Sequence, residues 1–151
     1  MDDMVNNLLI RKIKPEDAPE ITAIQAAITN PSTVIDFKHI IEEKVQNNEE
    51  VSFSAELDGK IVGYMISYIV FGGFGLEKSA WIATLGVNPK HMGQGIGRLL
   101  AEKLLAVYRE KGIDYIFTTV RWDSVDLLSF FKTLGFDRSD YIHLTKKLDA
   151  S

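Results

Sequence analysis

Three glycines at alternate positions stand out in Val87-Asn88-Pro89-Lys90-His91-Met92-Gly93-Gln94-Gly95-Ile96-Gly97-Arg98-Leu99-Leu100. A strand, a glycine-rich turn and then a helix is a general way to hold phosphate. The free amides of the first helical turn point at the anion, and a missing Cβ lets it come close. Gly93, Gly95 and Gly97 would supply the space, and Gln94, Gly95, Ile96, Gly97 and Arg98 the amides. A tight helix start, with Gly97 allowing close helix–strand packing, accounts for the spacing about equally well. Walker A is excluded because no Gly-Lys-Ser/Thr follows. The dinucleotide fingerprint fits poorly, because Gly-x-Gly-x-x-Gly is missing and the preceding strand follows a hairpin rather than opening a βαβ unit.

The elements that position this turn follow from periodicity. Residues 8–13 suit a short strand. Pro15, Glu16 and Asp17 open a helix with acidic groups in its first turn; Ile21, Ile24 and Ile28 continue it, and Asn30-Pro31 stops it. A second helix starts near Asp36 with Phe37, Ile40, Ile41 and Val45 as its buried stripe. The period then becomes two. Val51, Phe53, Ala55 and Leu57 alternate with Ser52, Ser54 and Glu56, and Asp58-Gly59 is a two-residue hairpin signal leading to a partner strand over 60–71. A glycine-rich connector (71–75) precedes a strand over 81–87. The helix after the glycines turns Ile96, Leu99, Leu100, Leu104 and Val107 inward and stops at Gly112. A strand over 113–120, a helix over 124–134 and a last strand over 136–148 complete the order β-αα-βββ-α-β-α-β. The expectation is one α/β domain over residues 1–151, with a mixed, mostly antiparallel sheet flanked by helices.

The 151 residues carry a net charge of −4 and no cysteine. Disulfides and thiolate chemistry are therefore excluded. Three histidines without His-x-His or His-Glu-x-x-His spacing argue against a metal. The acidic balance argues against nucleic acid, although residues 76–151 hold 11 basic and 9 acidic groups against 6 and 12 in residues 1–75. The acidic start Met1-Asp2-Asp3 does not read as a signal peptide, and no apolar run has membrane-spanning length. The expected setting is cytoplasmic, with no membrane partner.

With the turn and the element order in place, the chain resembles the GNAT superfamily of acetyl-CoA-dependent N-acetyltransferases. The family signature is [Q/R]-x-x-G-x-[G/A], and Met92-Gly93-Gln94-Gly95-Ile96-Gly97 matches it at five of six places. Phe130-Phe131-Lys132-Thr133-Leu134-Gly135-Phe136 resembles the family's aromatic-x-x-x-Gly-Phe ending, and the likeness covers about residues 8–148. It implies acetyl-CoA as co-substrate, with pyrophosphate on the amides from Gln94 to Arg98 and Gly93 opening the turn. It also implies a bulge at Leu85-Gly86-Val87, whose main-chain groups bond the pantetheine arm and steady the thioester oxygen as charge develops on it. Arg98 could reach a phosphate or simply face solvent. Ser124 lies where the family often has a pantetheine-touching asparagine, and a helix cap explains it equally. The acceptor would be a primary amine on a small molecule or a protein, and a homodimer is compatible with the resemblance.

Three positions depart from the family pattern. Met92 replaces the leading Arg or Gln. Ala83 stands where many members carry an acidic base, and Phe131 where many carry the tyrosine that protonates the thiolate. Asp123 and Asp126, at the start of the helix after the fifth strand, are replacement candidates, as is His143, which shares a strand face with Tyr141 and is of a residue type common in general acid–base roles. Glu77 could enter the acceptor pocket. Tyr64, Tyr68, Phe71, Phe74, Trp81 and Trp122 read as core or groove wall, and the two tryptophans could line the acceptor site. Gly86 hints at room for a longer acyl group. The competing reading, favoured by Ala83 and Phe131, is a catalytically weak or inactive module that binds acyl-CoA in a regulatory role.

Overall fold

The computed structural model describes residues 3–5, 7–29, 35–47 and 49–149. Two compact units divide the chain, Met1–Thr118 and Thr119–Ser151. The first contains β1 (Asp3–Val5), β2 (Leu8–Lys12), α1 (Ala18–Ile28), α2 (Phe37–Gln46), β3 (Phe53–Leu57), β4 (Lys60–Phe71), β5 (Lys78–Val87), α3 (Ile96–Glu110) and β6 (Ile116–Thr118). The second contains α4 (Val125–Thr133). The six strands form one sheet in the order β1-β2-β3-β4-β5-β6. Every pairing is antiparallel except β5 with β6. The expected mixed, mostly antiparallel architecture is therefore present. Among the described residues no helix is long and apolar enough to cross a membrane.

Local signals account for much of this. Asp58 and Gly59 both take positive φ, 50° and 82°, as a two-residue turn matching the strand twist requires, and they pair Leu57 with Lys60. The 71–75 connector is a closed turn in which Gly72 N–H donates to the Glu77 carbonyl at 2.9 Å. Of the stripe expected on α3, Ile96, Leu100 and Leu104 are buried, with Ala101 and Tyr108 beside them, while Leu99 and Val107 are only part-buried.

Both faces of the central sheet are covered. Ile21 and Ile24 of α1 with Phe37 and Ile41 of α2 pack on Ile61, Tyr64 and Ile66. On the other face α3 lies so close to β4 that a Cβ on Gly63 would sit 3.0 Å from Ile96 Cγ2. Ser52 and Ser54, placed by alternation on a polar face, are consequently buried. Ser54 donates to Asp17 (2.8 Å), and Ser52 accepts from the Ser67 amide (3.1 Å). Ser67 in turn donates to the Val51 carbonyl. The Tyr108 hydroxyl therefore gives its proton to Ser67 (2.6 Å) and accepts from the Val51 amide (3.1 Å).

Several expectations are corrected. A strand at Asp3–Val5 precedes the first one expected. The strand expected over 113–120 is only Ile116–Thr118, because Ile113 N–H is taken by the Tyr108 carbonyl at the end of α3 (3.0 Å). Residues 136–148 form no strand; a strand exists through a partner's ladder, and among the described residues of the second unit there is none to pair with. Val45 is 46% exposed rather than buried. The Asn30-Pro31 stop lies outside the described residues.

Candidate active site

The glycine turn is built as a cradle. Pro89–His91 form one 3-10 turn, after which Gly93 and Gly95 both adopt φ of 81°. A side chain rarely tolerates that conformation. An added Cβ at either would meet nothing within 4 Å, so the space beside both is open. Gly95 caps α3, and the first helical bond runs from Leu99 N–H to the Gly95 carbonyl (3.1 Å). The amides of Ile96, Gly97 and Arg98 thus precede any intrahelical partner and stand at the positive end of a 15-residue dipole. These groups fit a phosphate without requiring a side chain. Met92 is 56% exposed and Gln94 is exposed. Arg98 is drawn along its own helix to Glu102 (2.7 Å), in agreement with the solvent-facing alternative.

The strand leading into the turn carries the second part of the site. Ile66 faces Thr84 while Ser67 faces Ile82, so Ala83 is the extra residue of a bulge. This corrects the bulge expected at Leu85-Gly86-Val87. The register beyond it is pinned by the bond from Asn88 N–H to the Val62 carbonyl (2.8 Å), which leaves Ala83 to take up the slack. Antiparallel bonds alternate along a strand. With 88 bonded to 62, the ladder bonds fall at 86 and 84, so Leu85 and Val87 turn their N–H and C=O groups away from β4. On that side β6 pairs with β5 only as far as Ile82. Among the described residues no strand takes up the Leu85 and Val87 groups.

Gly86 offers no room for a longer acyl group. A Cβ there would lie 2.8 Å from the Tyr64 ring and 3.1 Å from Ile28, so the missing side chain is what seats Tyr64. Burial pushes the Tyr64 phenol up, against the opposing hydrogen bond from Thr84. Replacing Gly86 by alanine is expected to lower stability by about 1–3 kcal/mol through overpacking, read as a drop in thermal midpoint; an unchanged midpoint would show the Tyr64 ring to be free to move.

The remaining candidates belong to the second unit. Arg121 clamps Asp123 through two bonds of 3.0 Å, and those hydrogen bonds hold its carboxyl below the usual range, which makes it a poor proton acceptor near neutrality. Asp126 is exposed in the first turn of α4. Ser124 occupies the cap position, yet its side chain makes no capping bond. Phe131 is buried, edge-on to Phe130 and Phe136. His143 and Tyr141 are exposed, and without a strand the shared face expected for them is absent. Trp122 is 87% exposed.

Comparison with known proteins bears on this arrangement. Residues 18–136 match the model of the acetyltransferase (GNAT) family. An aminoglycoside acetyltransferase, meta-AAC0020 from an uncultured soil metagenomic sample, solved with sisomicin, is 24% identical, with 95% of this chain and 98% of that one covered at a TM-score of 0.76. The aminoglycoside N-acetyltransferase AAC(6')-Iy in complex with CoA is 16% identical over 93% and 94%, at a TM-score of 0.78. A ribosomal-protein-alanine N-acetyltransferase from Brucella melitensis biovar Abortus 2308 is 19% identical over 94% and 99%, at 0.73. These likenesses show a shared fold. The family uses acetyl-CoA as its co-substrate. The glycine cradle, the bulged strand leading into it and the match over residues 18–136 together place the chain in the acetyltransferase (GNAT) family.

Proposed function

We propose that the protein is an N-acetyltransferase that passes the acetyl group of acetyl-CoA to a primary amine by direct attack within a ternary complex. The observation that carries this reading is the pairing of an open glycine cradle with two strand residues, Leu85 and Val87, whose main-chain groups the β4 ladder does not use. The amides from Gln94 to Arg98, with Gly93 and Gly95 giving access, hold the pyrophosphate. Leu85, Gly86 and Val87 align the pantetheine arm, and the Leu85 N–H faces the carbonyl oxygen on which negative charge grows. The thioester supplies an activated acyl carbon. The amine nitrogen bonds to that carbon, the carbon–sulfur bond breaks with its electron pair going to sulfur, and the amine loses the proton that balances protonation of the thiolate.

No carboxylate stands at Ala83, so most of the rate comes from orienting the two substrates, a contribution that reaches several powers of ten. Asp126 and His143 are the candidates for carrying the proton, Asp123 being held by Arg121.

Calorimetric titration with acetyl-CoA, free coenzyme A and ADP tests the reading. One-to-one binding that prefers the acetyl form is expected. Gly95→Val should weaken it by tenfold or more, because valine disfavours the positive φ and fills the open side of the cradle. A folded protein that binds neither acetyl-CoA nor coenzyme A would overturn the assignment. Tight binding without turnover on any amine would favour the regulatory module that Ala83 and Phe131 suggest.

A further inference from the structure

One row of side chains in the first unit is not used by the cofactor site. Tyr68 on β4, Trp81 on β5 and Phe117 on β6 are direct cross-strand neighbours by register. Their rings follow one another across the sheet, Tyr68 to Trp81 at 6.2 Å and Trp81 to Phe117 at 5.0 Å between centroids. Phe74 leans over the row from the β4–β5 turn, 5.5 Å from Trp81 and 5.4 Å from Phe117. None of the four is fully buried. A row this apolar, left part-exposed on a sheet face, has surface that a ligand can desolvate.

Its place and its charge identify what that ligand is. Tyr68 continues the face on which Tyr64 and Ile66 meet α1 and α2. Strand alternation and the bulge put Trp81, Ala83 and Thr84 on that same face. The shelf therefore begins two residues, roughly 7 Å, before the exposed Ala83, and Leu85 with its unused amide follows. The indole N–H of Trp81 is occupied by Ser79 Oγ (3.3 Å). Two nearby carboxylates are also occupied: Glu50 accepts from Lys44 (3.0 Å) and from the Ile69 amide (2.7 Å), and Glu49 from Lys78 (2.9 Å). A polycation would meet the Lys44 ammonium, which already lies over the Tyr68 ring at 5.4 Å, whereas an aryl ring would meet the faces of Trp81 and Phe117.

Resting on the transfer reading above, we infer that the Tyr68–Trp81–Phe117 shelf holds the acceptor, and that the acceptor is a small arylalkylamine whose ring stacks on the shelf while its amine reaches past Ala83. The geometry suits a short spacer of one or two carbons, since a long flexible chain would gain nothing from the ring row.

The test is steady-state release of coenzyme A thiol by the full chain with acetyl-CoA. The probes are 2-phenylethylamine and tryptamine against n-butylamine, spermidine and sisomicin. The aryl amines are expected to show kcat/KM at least tenfold above the others. Trp81→Ala should raise KM for 2-phenylethylamine about tenfold with KM for acetyl-CoA unchanged, and Trp81→Phe should recover most of the loss. Phe117→Leu, checked for folding by circular dichroism, gives a second reading of the same surface. Equal or better turnover of butylamine, spermidine or sisomicin would overturn the inference while leaving the transfer reading intact. Binding of acetyl-CoA with no turnover of any amine would sink both.

Discussion

Asp17→Ala is expected to destabilise the first unit by about 3–5 kcal/mol, the usual cost of removing one member of a buried ion pair. Asp17 receives two bonds from Arg11, at 2.9 and 2.8 Å, one from the Lys14 amide at 2.9 Å and one from Ser54 at 2.8 Å. Arg11 and Asp17 are both nearly inaccessible, so the alanine variant strands a guanidinium with only Glu56 (3.1 Å) and the Lys12 carbonyl (3.0 Å) as partners. The site clamps β2 to the start of α1 and to β3. Burial pushes the Asp17 carboxyl upward, but the hydrogen bonds from Arg11, Lys14 and Ser54 outweigh it and hold the group below its ordinary 3.8.

The sign of the pH effect follows from that direction. A depressed folded-state value means stability that is fully present above the unfolded carboxylate pKa and lost as pH falls through the folded one. Wild type should therefore lose stability as the pH drops below about 4, and Asp17→Asn should show a shallower acid limb from a lower neutral plateau. Denaturant melts from pH 7 to pH 2 measure both. An Asp17→Asn variant with the wild-type acid slope would show that other carboxylates carry the acid sensitivity.

Leu85→Pro should leave the protein folded and reduce kcat roughly a hundredfold to a thousandfold, the loss that follows removal of one oxyanion donor. The effect depends on the direction of one N–H. At Leu85 it points away from β4, toward the side where β6 has already ended at Thr118, so proline there removes no ladder bond and meets an edge-like strand. Thr84→Pro one residue earlier removes a bond to β4 and should unfold the protein. Circular dichroism melts establish the contrast in folding, and single-turnover rates at saturating acetyl-CoA establish the contrast in chemistry. A folded Leu85→Pro variant with unchanged kcat would remove the main-chain donor from the mechanism.

Features governed by neighbouring residues were legible in the sequence alone. The Asp58-Gly59 hairpin, the α3 stripe and the cradle at Gly93 and Gly95 each depend on a few consecutive φ/ψ values or on one helical period, and the chain writes those directly. Together with element order they were enough for the family. Tertiary structure decided what depends on which surfaces meet. Arg11 and Asp17 read as a strand residue and a helix-start acid until the fold buries them against Ser54. Ser52 and Ser54 alternate like a wetted face, yet helices on both sides of the sheet enclose them, and hydrogen bonding replaces solvent. The bulge went to Ala83 because the bond between residues 62 and 88 pins the register beyond it. Residues 136–148 carry strand-like apolar residues without the partner that makes a strand. The aromatic shelf is invisible in one dimension for the same reason: Tyr68, Trp81 and Phe117 lie far apart along the chain, and only strand pairing, a long-range choice of register, sets their rings side by side.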